Sequence, residues 1–121
     1  MWIEGGKADL KRMPKRVRRT VGLAIASAQL GAKHPKAKPL KGFDGAGVLE
    51  VVENNAGNTF RAVYTVRFSG VVFVLHVFQK KSTKGISTPK RNLDLIQVRM
   101  KEAERLYAEY QASSEAKEKP I

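Results

Sequence analysis

The sequence predicts an α+β domain: a small, curved antiparallel β-meander with helices before it and one helix after it. Three observations lead there. Apolar residues recur at helical spacing in residues 14–30, three β-rich runs follow closely between residues 48 and 79, and a second helical stripe begins at residue 93. With 121 residues, 42% of them apolar, the chain suffices for one modest core. The expected organisation is a single domain over residues 1–112 and a polar, disordered tail over 113–121.

The run Lys7-Ala8-Asp9-Leu10-Lys11-Arg12-Met13 reads as a short helical turn, and Pro14 suits the first position of the next helix. Val17, Val21, Ala24 and Ala28 form that helix's inner stripe, with Gly31 as its stop. Its other face carries Lys15, Arg16, Arg18 and Arg19. Cations in the first turns oppose the helix dipole, a cost that a neighbouring anion offsets. Residues 32–47, rich in Lys, Pro and Gly, read as a loop.

The strand-like runs are 48–53, 59–68 and 71–79, separated by Asn54-Asn55-Ala56-Gly57-Asn58 and Ser69-Gly70. Links this short demand antiparallel neighbours. In the second run Phe60, Ala62, Tyr64, Val66 and Phe68 share the core face, while Arg61, Val63, Thr65 and Arg67 share a face with two arginines. The third run is apolar on both faces from Val71 to Phe78, which predicts a central, well covered strand. It ends in Gln79-Lys80-Lys81, delivering two lysines to the sheet margin. Thr88-Pro89 then opens a long helix with Leu93, Ile96, Met100, Ala103, Tyr107 and Tyr110 along one face.

The 23 Lys and Arg against 11 Asp and Glu give a net charge of +12 and favour polyanion partners, nucleic acid first. The excess lies in two blocks. Residues 1–41 hold 11 basic and 2 acidic side chains, and residues 79–101 hold 7 and 1. If the fold joins them, together they make a phosphate-binding surface. No run approaches the roughly 20 apolar residues of a membrane span, and residues 1–6 lack the pattern of a secretory leader. Without cysteine there is neither a disulfide framework nor a thiolate zinc site, and two distant histidines make a poor metal set. The expectation is a cytoplasmic protein with no membrane partner, no metal and no cofactor.

Metal-free RNA cleavage uses the ribose 2′-OH as nucleophile, so the protein must help deprotonate it, stabilise the phosphorane and protonate the leaving oxygen. A lysine crowded by other cations has its charged form disfavoured, whereas arginine stays charged and clamps phosphate. Arg61, Lys80 and Lys81 are the candidates, provided that the second and third runs pair. His76 is a second-rank acid or base, with a buried, hydrogen-bonded core histidine as the favoured reading. Tyr64 is placed likewise, since its parity with Phe60 and Val66 favours packing over base stacking. His34 is expected to be merely exposed. Gly42-Phe43-Asp44-Gly45-Ala46-Gly47 lacks the Lys-Ser/Thr ending of a phosphate loop and reads as a turn beside Lys38 and Lys41, two candidate contacts to an RNA backbone. Arg16, Arg19, Arg67, Lys84, Lys90 and Arg91 complete the candidate RNA contacts. Asp44, Glu50, Glu53 and Asp94 show no metal or paired-carboxylate spacing.

Five pieces of the chain, in this order and spacing, resemble the phage-derived Gp49-like or HigB-type toxins of the RelE/ParE superfamily. They are Lys38-Pro39-Leu40-Lys41-Gly42, Val48-Leu49-Glu50, Phe60-Arg61-Ala62-Val63-Tyr64, Val74-Leu75-His76-Val77-Phe78-Gln79-Lys80-Lys81 and Thr88-Pro89-Lys90-Arg91. The resemblance covers residues 38–106, and the basic helical N-terminus adds to it. It implies a RelE-like fold, with an initial strand and with helices on one side of a curved antiparallel sheet. It also implies a helix-turn-helix antitoxin as partner, and inhibition of translation by cleaving mRNA in the ribosomal A site with a basic cluster. The arginine of the strand motif falls on Arg61, and the basic pair after the last strand on Lys80 and Lys81.

Two departures stand out. Only Trp2-Ile3 remains where the initial strand belongs, and Tyr107 and Tyr110 lie too far along the last helix to take the family's C-terminal tyrosine or histidine role, which leaves the general acid unassigned. The superfamily also includes ParE-like inhibitors of DNA gyrase, so that activity and non-enzymatic nucleic-acid binding are the alternatives to an endoribonuclease.

Overall fold

The computed structural model describes residues 6–43, 47–68, 70–80 and 90–118. The chain forms α1 (Gly6–Lys11), α2 (Lys15–Gln29), β1 (Ala37–Pro39), β2 (Val48–Asn55), β3 (Asn58–Thr65), β4 (Phe73–Lys80) and α3 (Lys90–Glu118). The four strands make one antiparallel sheet in the order β1-β2-β3-β4, so the predicted α+β meander is the fold observed.

Local chemistry explains the element ends. Pro14 precedes α2 as its cap residue, and Gly31, at φ 80°, ends it. The Gly31 N–H donates to the Ala28 carbonyl and the Ala32 N–H to that of Ser27, the paired bonds of a Schellman stop. Ala56 and Gly57 both take positive φ, 53° and 82°, making the two-residue turn that suits the twist of the β2–β3 hairpin.

Strand alternation divides the core into two layers. On one face Val51, Phe60, Ala62, Tyr64, Val74 and Val77 pack under Val17, Val21 and Ala24 of α2, with Leu10 and Met13 beside them. On the other face Val48, Val63, Phe73 and Leu75 pack under Ile96, Met100 and Ala103 of α3. The sheet therefore lies between the N-terminal helices and α3, instead of having all its helices on one side. This corrects half of the face expected to offer two arginines: residues 60–65 are all buried, Arg61 included, while Arg67, past the end of β3, is exposed.

Three further readings change. Residues 37–39, read as loop, form β1, because Ala37, Lys38 and Pro39 pair with Val51, Glu50 and Leu49. β4, read as central, is an outer strand of the sheet among the described residues; helices cover both of its faces, which accounts for its apolar run. α3 extends through Glu118, so the tail expected from residue 113 is helical over 113–118. The helix opening at Thr88-Pro89 and the initial strand at Trp2-Ile3 lie outside the described residues.

Candidate functional site

The β3–β4 register pairs Arg61 with Phe78 and Thr59 with Lys80. The condition set by the sequence is thereby met: Arg61 and the end of β4 come to the same end of the sheet. On the adjoining strand Val52 pairs with Arg61, and Lys38 of β1 pairs with Glu50. Arg61 is only 5% exposed, and its Nη1 donates to Glu50 Oε2 at 2.9 Å. Lys38 Nζ stands 4.0 Å from the other oxygen of Glu50 and is 61% exposed. One buried carboxylate thus carries an inner arginine and an outer lysine.

His76 flanks this cluster. Its ring stacks on Phe78 with centroids 4.6 Å apart. Arg99 Nη1 lies 3.0 Å from Nδ1 and must donate, which makes Nδ1 the acceptor and leaves the proton on Nε2 to be given to Asn92 Oδ1 at 3.1 Å. Burial, then repulsion from Arg99, lowers its pKa below the ordinary 6.5 against the opposing Asn92 bond and Asp9. The β-bulge at Leu75, left over where Val63 pairs His76 and Tyr64 pairs Val74, has its carbonyl bound by Arg99 at 2.8 Å. His76 is the buried, hydrogen-bonded histidine that the sequence favoured.

The opposite face has its own buried carboxylate. Glu53 accepts from Lys36 Nζ at 2.7 Å and from Thr20 at 2.8 Å, with Arg16 Nε at 3.2 Å. Lys36, the largest influence, holds its pKa below the ordinary 4.5. Sequence reasoning weighed both glutamates only as metal or paired-carboxylate candidates and missed their role as buried partners of cations. The available signal was parity: Glu50 and Glu53, an odd number of positions apart in an apolar strand, must point to opposite faces, and each buried charge then needs its own cation.

The remaining candidates fall in different places. Arg16 and Arg19 are exposed on α2, across the sheet from Arg61. Lys41, Lys90 and Arg91 are exposed, and Arg67 is bound to Glu104 at 2.8 Å and lies over Phe68. Tyr64 is 1% exposed in the α2 layer, its hydroxyl finds no partner among the described residues, and burial raises its pKa. His34 is partly covered, and its Nδ1 accepts from the Lys36 backbone N–H. Lys81 and Lys84 lie outside the described residues. A groove of about 740 Å³, lined by Ala28, Lys33, Leu49, Val66 and Val72 among others, opens beyond the end of α2. Among the described residues no group of three or more His, Asp or Glu gathers as a metal site, and no helix is long and apolar enough to cross a membrane.

Fold and site define a class: a small basic α+β protein whose antiparallel meander sets a buried arginine and an outer lysine on one buried carboxylate. The chain belongs to the family described as Phage derived protein Gp49-like (DUF891), whose model matches residues 8–101. This is a phage-derived, toxin-like family, which points to a toxin–antitoxin role and an antitoxin partner. No curated protein and no solved structure matches the chain.

Proposed function

We propose that the chain is the toxin of a type II toxin–antitoxin pair, acting as a HigB-like, metal-independent endoribonuclease on ribosome-bound mRNA in the cytoplasm. The observation that carries this reading is the strand register, which brings Arg61 beside Phe78 and Lys80 beside Thr59, with Lys38 across Glu50. Lys38 and Lys41, exposed at the rim, receive the RNA phosphate first. Arg61, oriented by Glu50, stabilises charge on the phosphorane, while Lys80 and Lys81 bind phosphate or move protons. Arg67, Lys84, Lys90 and Arg91 extend the contact with mRNA, and Arg16 and Arg19 grip ribosomal RNA from the other side of the sheet. The partner that silences it is an antitoxin, expected to be of the helix-turn-helix type.

The test is inducible expression of wild type and Arg61→Lys, with mRNA 5′ ends mapped on translated and untranslated copies of one transcript. Lysine keeps the charge beside Glu50 but lacks the planar fork, so cleavage should fall about 100-fold without loss of the fold. New ends confined to the translated copy are expected; cleavage unchanged by Arg61→Lys would remove Arg61 from the mechanism.

The burial of Arg61 favours a second reading, in which the outward cations bind a target without chemistry, either a protein such as gyrase or a nucleic acid. Growth arrest with intact mRNA supports that reading. Charge substitutions on α2 should then matter more than those at Arg61.

A further inference from the structure

The outward face of α2 changes character halfway along. Its first turns expose Lys15, Arg16, Arg18 and Arg19; from there on the exposed residues are Gln29 and the four apolar ones Gly22, Leu23, Ala26 and Leu30, none of them charged. Leu23 is 54% and Leu30 86% exposed, large values for leucines on a helix that already buries a separate stripe in the core. Spacings of three, four and seven put the four residues on one side of the helix. Gly22 is the least expected of them. Glycine inside a helix costs roughly 0.5–1 kcal/mol against alanine. Among the described residues, nothing beyond the helix's own nearby backbone and the adjoining residues lies within 4 Å of a Cβ built there, so no such contact requires it.

The charge along this stretch of sequence has one sign. No Asp or Glu occurs between residues 10 and 43, so Arg18 and Arg19 at one end and Lys33 at the other stand without an acidic residue in that segment. At the end of the helix the patch runs through Gln29 and Gly31, which line the groove there.

We infer that this half of α2 is a docking surface for an acidic amphipathic helix of a partner protein. Aliphatic residues of that helix would cover Leu23 and Leu30, and its flanking carboxylates would meet Arg18, Arg19 and Lys33. Gly22 and Ala26 leave room for close approach of the two backbones, whose separation is set by the side chains at the contact. Other occupants fit less well. RNA recognition favours rings and planar groups, which the patch lacks. A second copy of the chain would bring Arg18 and Arg19 against themselves under a net charge of +12. A bilayer is entered by projecting bulky residues, and half of this patch is Gly and Ala. Under the toxin reading the partner is the antitoxin, and that identification alone rests on it.

The test titrates the full chain into two fluorescent peptides of one composition. One carries leucines at i, i+3 and i+7 flanked by glutamates; the other is permuted to scatter the leucines. Anisotropy should show the patterned peptide binding at least about tenfold tighter, with Leu23→Glu, Leu30→Glu and Gly22→Gln each weakening it about tenfold. Arg61→Lys should bind the patterned peptide as wild type does, so this inference and the nuclease reading fail separately. Circular dichroism checks that the exposed substitutions keep the fold. Equal binding of both peptides, or unchanged binding by all three variants, overturns the inference. Leu-dependent uptake onto phosphatidylserine vesicles without peptide binding overturns it in favour of a membrane surface.

Discussion

At the scale of single residues, the arrangement of Glu50 and Arg61 constrains how the site can be probed. Both are buried, and they neutralise one another at 2.9 Å. Removing one partner leaves a buried charge, a loss of about 3–5 kcal/mol in such pairs; here Lys38 remains near Glu50, and Arg61→Met is expected to cost about 2–3 kcal/mol. Adding Glu50→Gln to Arg61→Met should recover more than half of that in urea unfolding, since the paired change removes both charges. No recovery would mean that the pair contributes little. Tyr64→Phe offers the converse case: its hydroxyl lies in the apolar layer under α2, and deleting it should raise stability by about 1 kcal/mol. A loss of stability would point to a hydrogen bond at that hydroxyl.

Among the elements, the strand ends are where backbone geometry decides stability. Ala56 occupies the first left-handed position of the β2–β3 turn, where asparagine is better tolerated. Ala56→Asn should therefore stabilise the hairpin by about 0.5–1 kcal/mol, read as a shift of the urea midpoint. Gly47, leading into β2, is the opposite case. Its φ is 67°, a Cβ there would stand 3.2 Å from the Arg67 backbone, and its carbonyl accepts from the Val66 N–H and the Thr65 hydroxyl. Gly47→Ala should cost more than about 1 kcal/mol, from strain and close approach together. An unchanged midpoint would show that this corner adjusts freely.

For the whole molecule, two buried titratable groups set the response to acid. The His76 pKa is lowered on folding, so the unfolded chain takes up a proton first as pH falls through the ordinary value of 6.5, and stability drops from there downward. Glu53 is also lowered; its contribution is present above the ordinary 4.5 and is lost as pH falls below that. Thermal melts should thus hold level above pH 6.5 and decline in two stages below it. His76→Gln should flatten the first stage and leave the second. A first stage that survives the substitution would assign it to another group. The two carboxylates also organise the charge of the molecule: Glu53 draws Arg16 and Lys36 to the α2 side of the sheet, Glu50 draws Arg61 and Lys38 to the α3 side.

The sequence by itself determined the element types, the meander and the family. Helical spacing in α2 and α3, β-rich runs and short turns are local signals, and the order of its motifs carried the resemblance. It also singled out His76 as a core histidine, because an isolated histidine in an apolar strand needs buried partners; Asn92 and Arg99, from a helix far along the chain, could be named only by the fold. The tertiary structure alone decided which faces are covered. Alternation placed Arg61 and Val63 on one face of β3, but whether α3 lies over that face is a long-range packing outcome that no periodicity encodes. For the same reason β4 could read as central while lying outermost among the described strands, and β1 was hidden in a loop until Lys38 found Glu50. The two basic blocks look like one surface when summed along the chain. The fold divides them otherwise: the cations of α2 lie on one side of the sheet and those of α3 on the other, because burying both apolar faces requires helices on opposite sides, while Lys38 of the first block meets Glu50 on the α3 side.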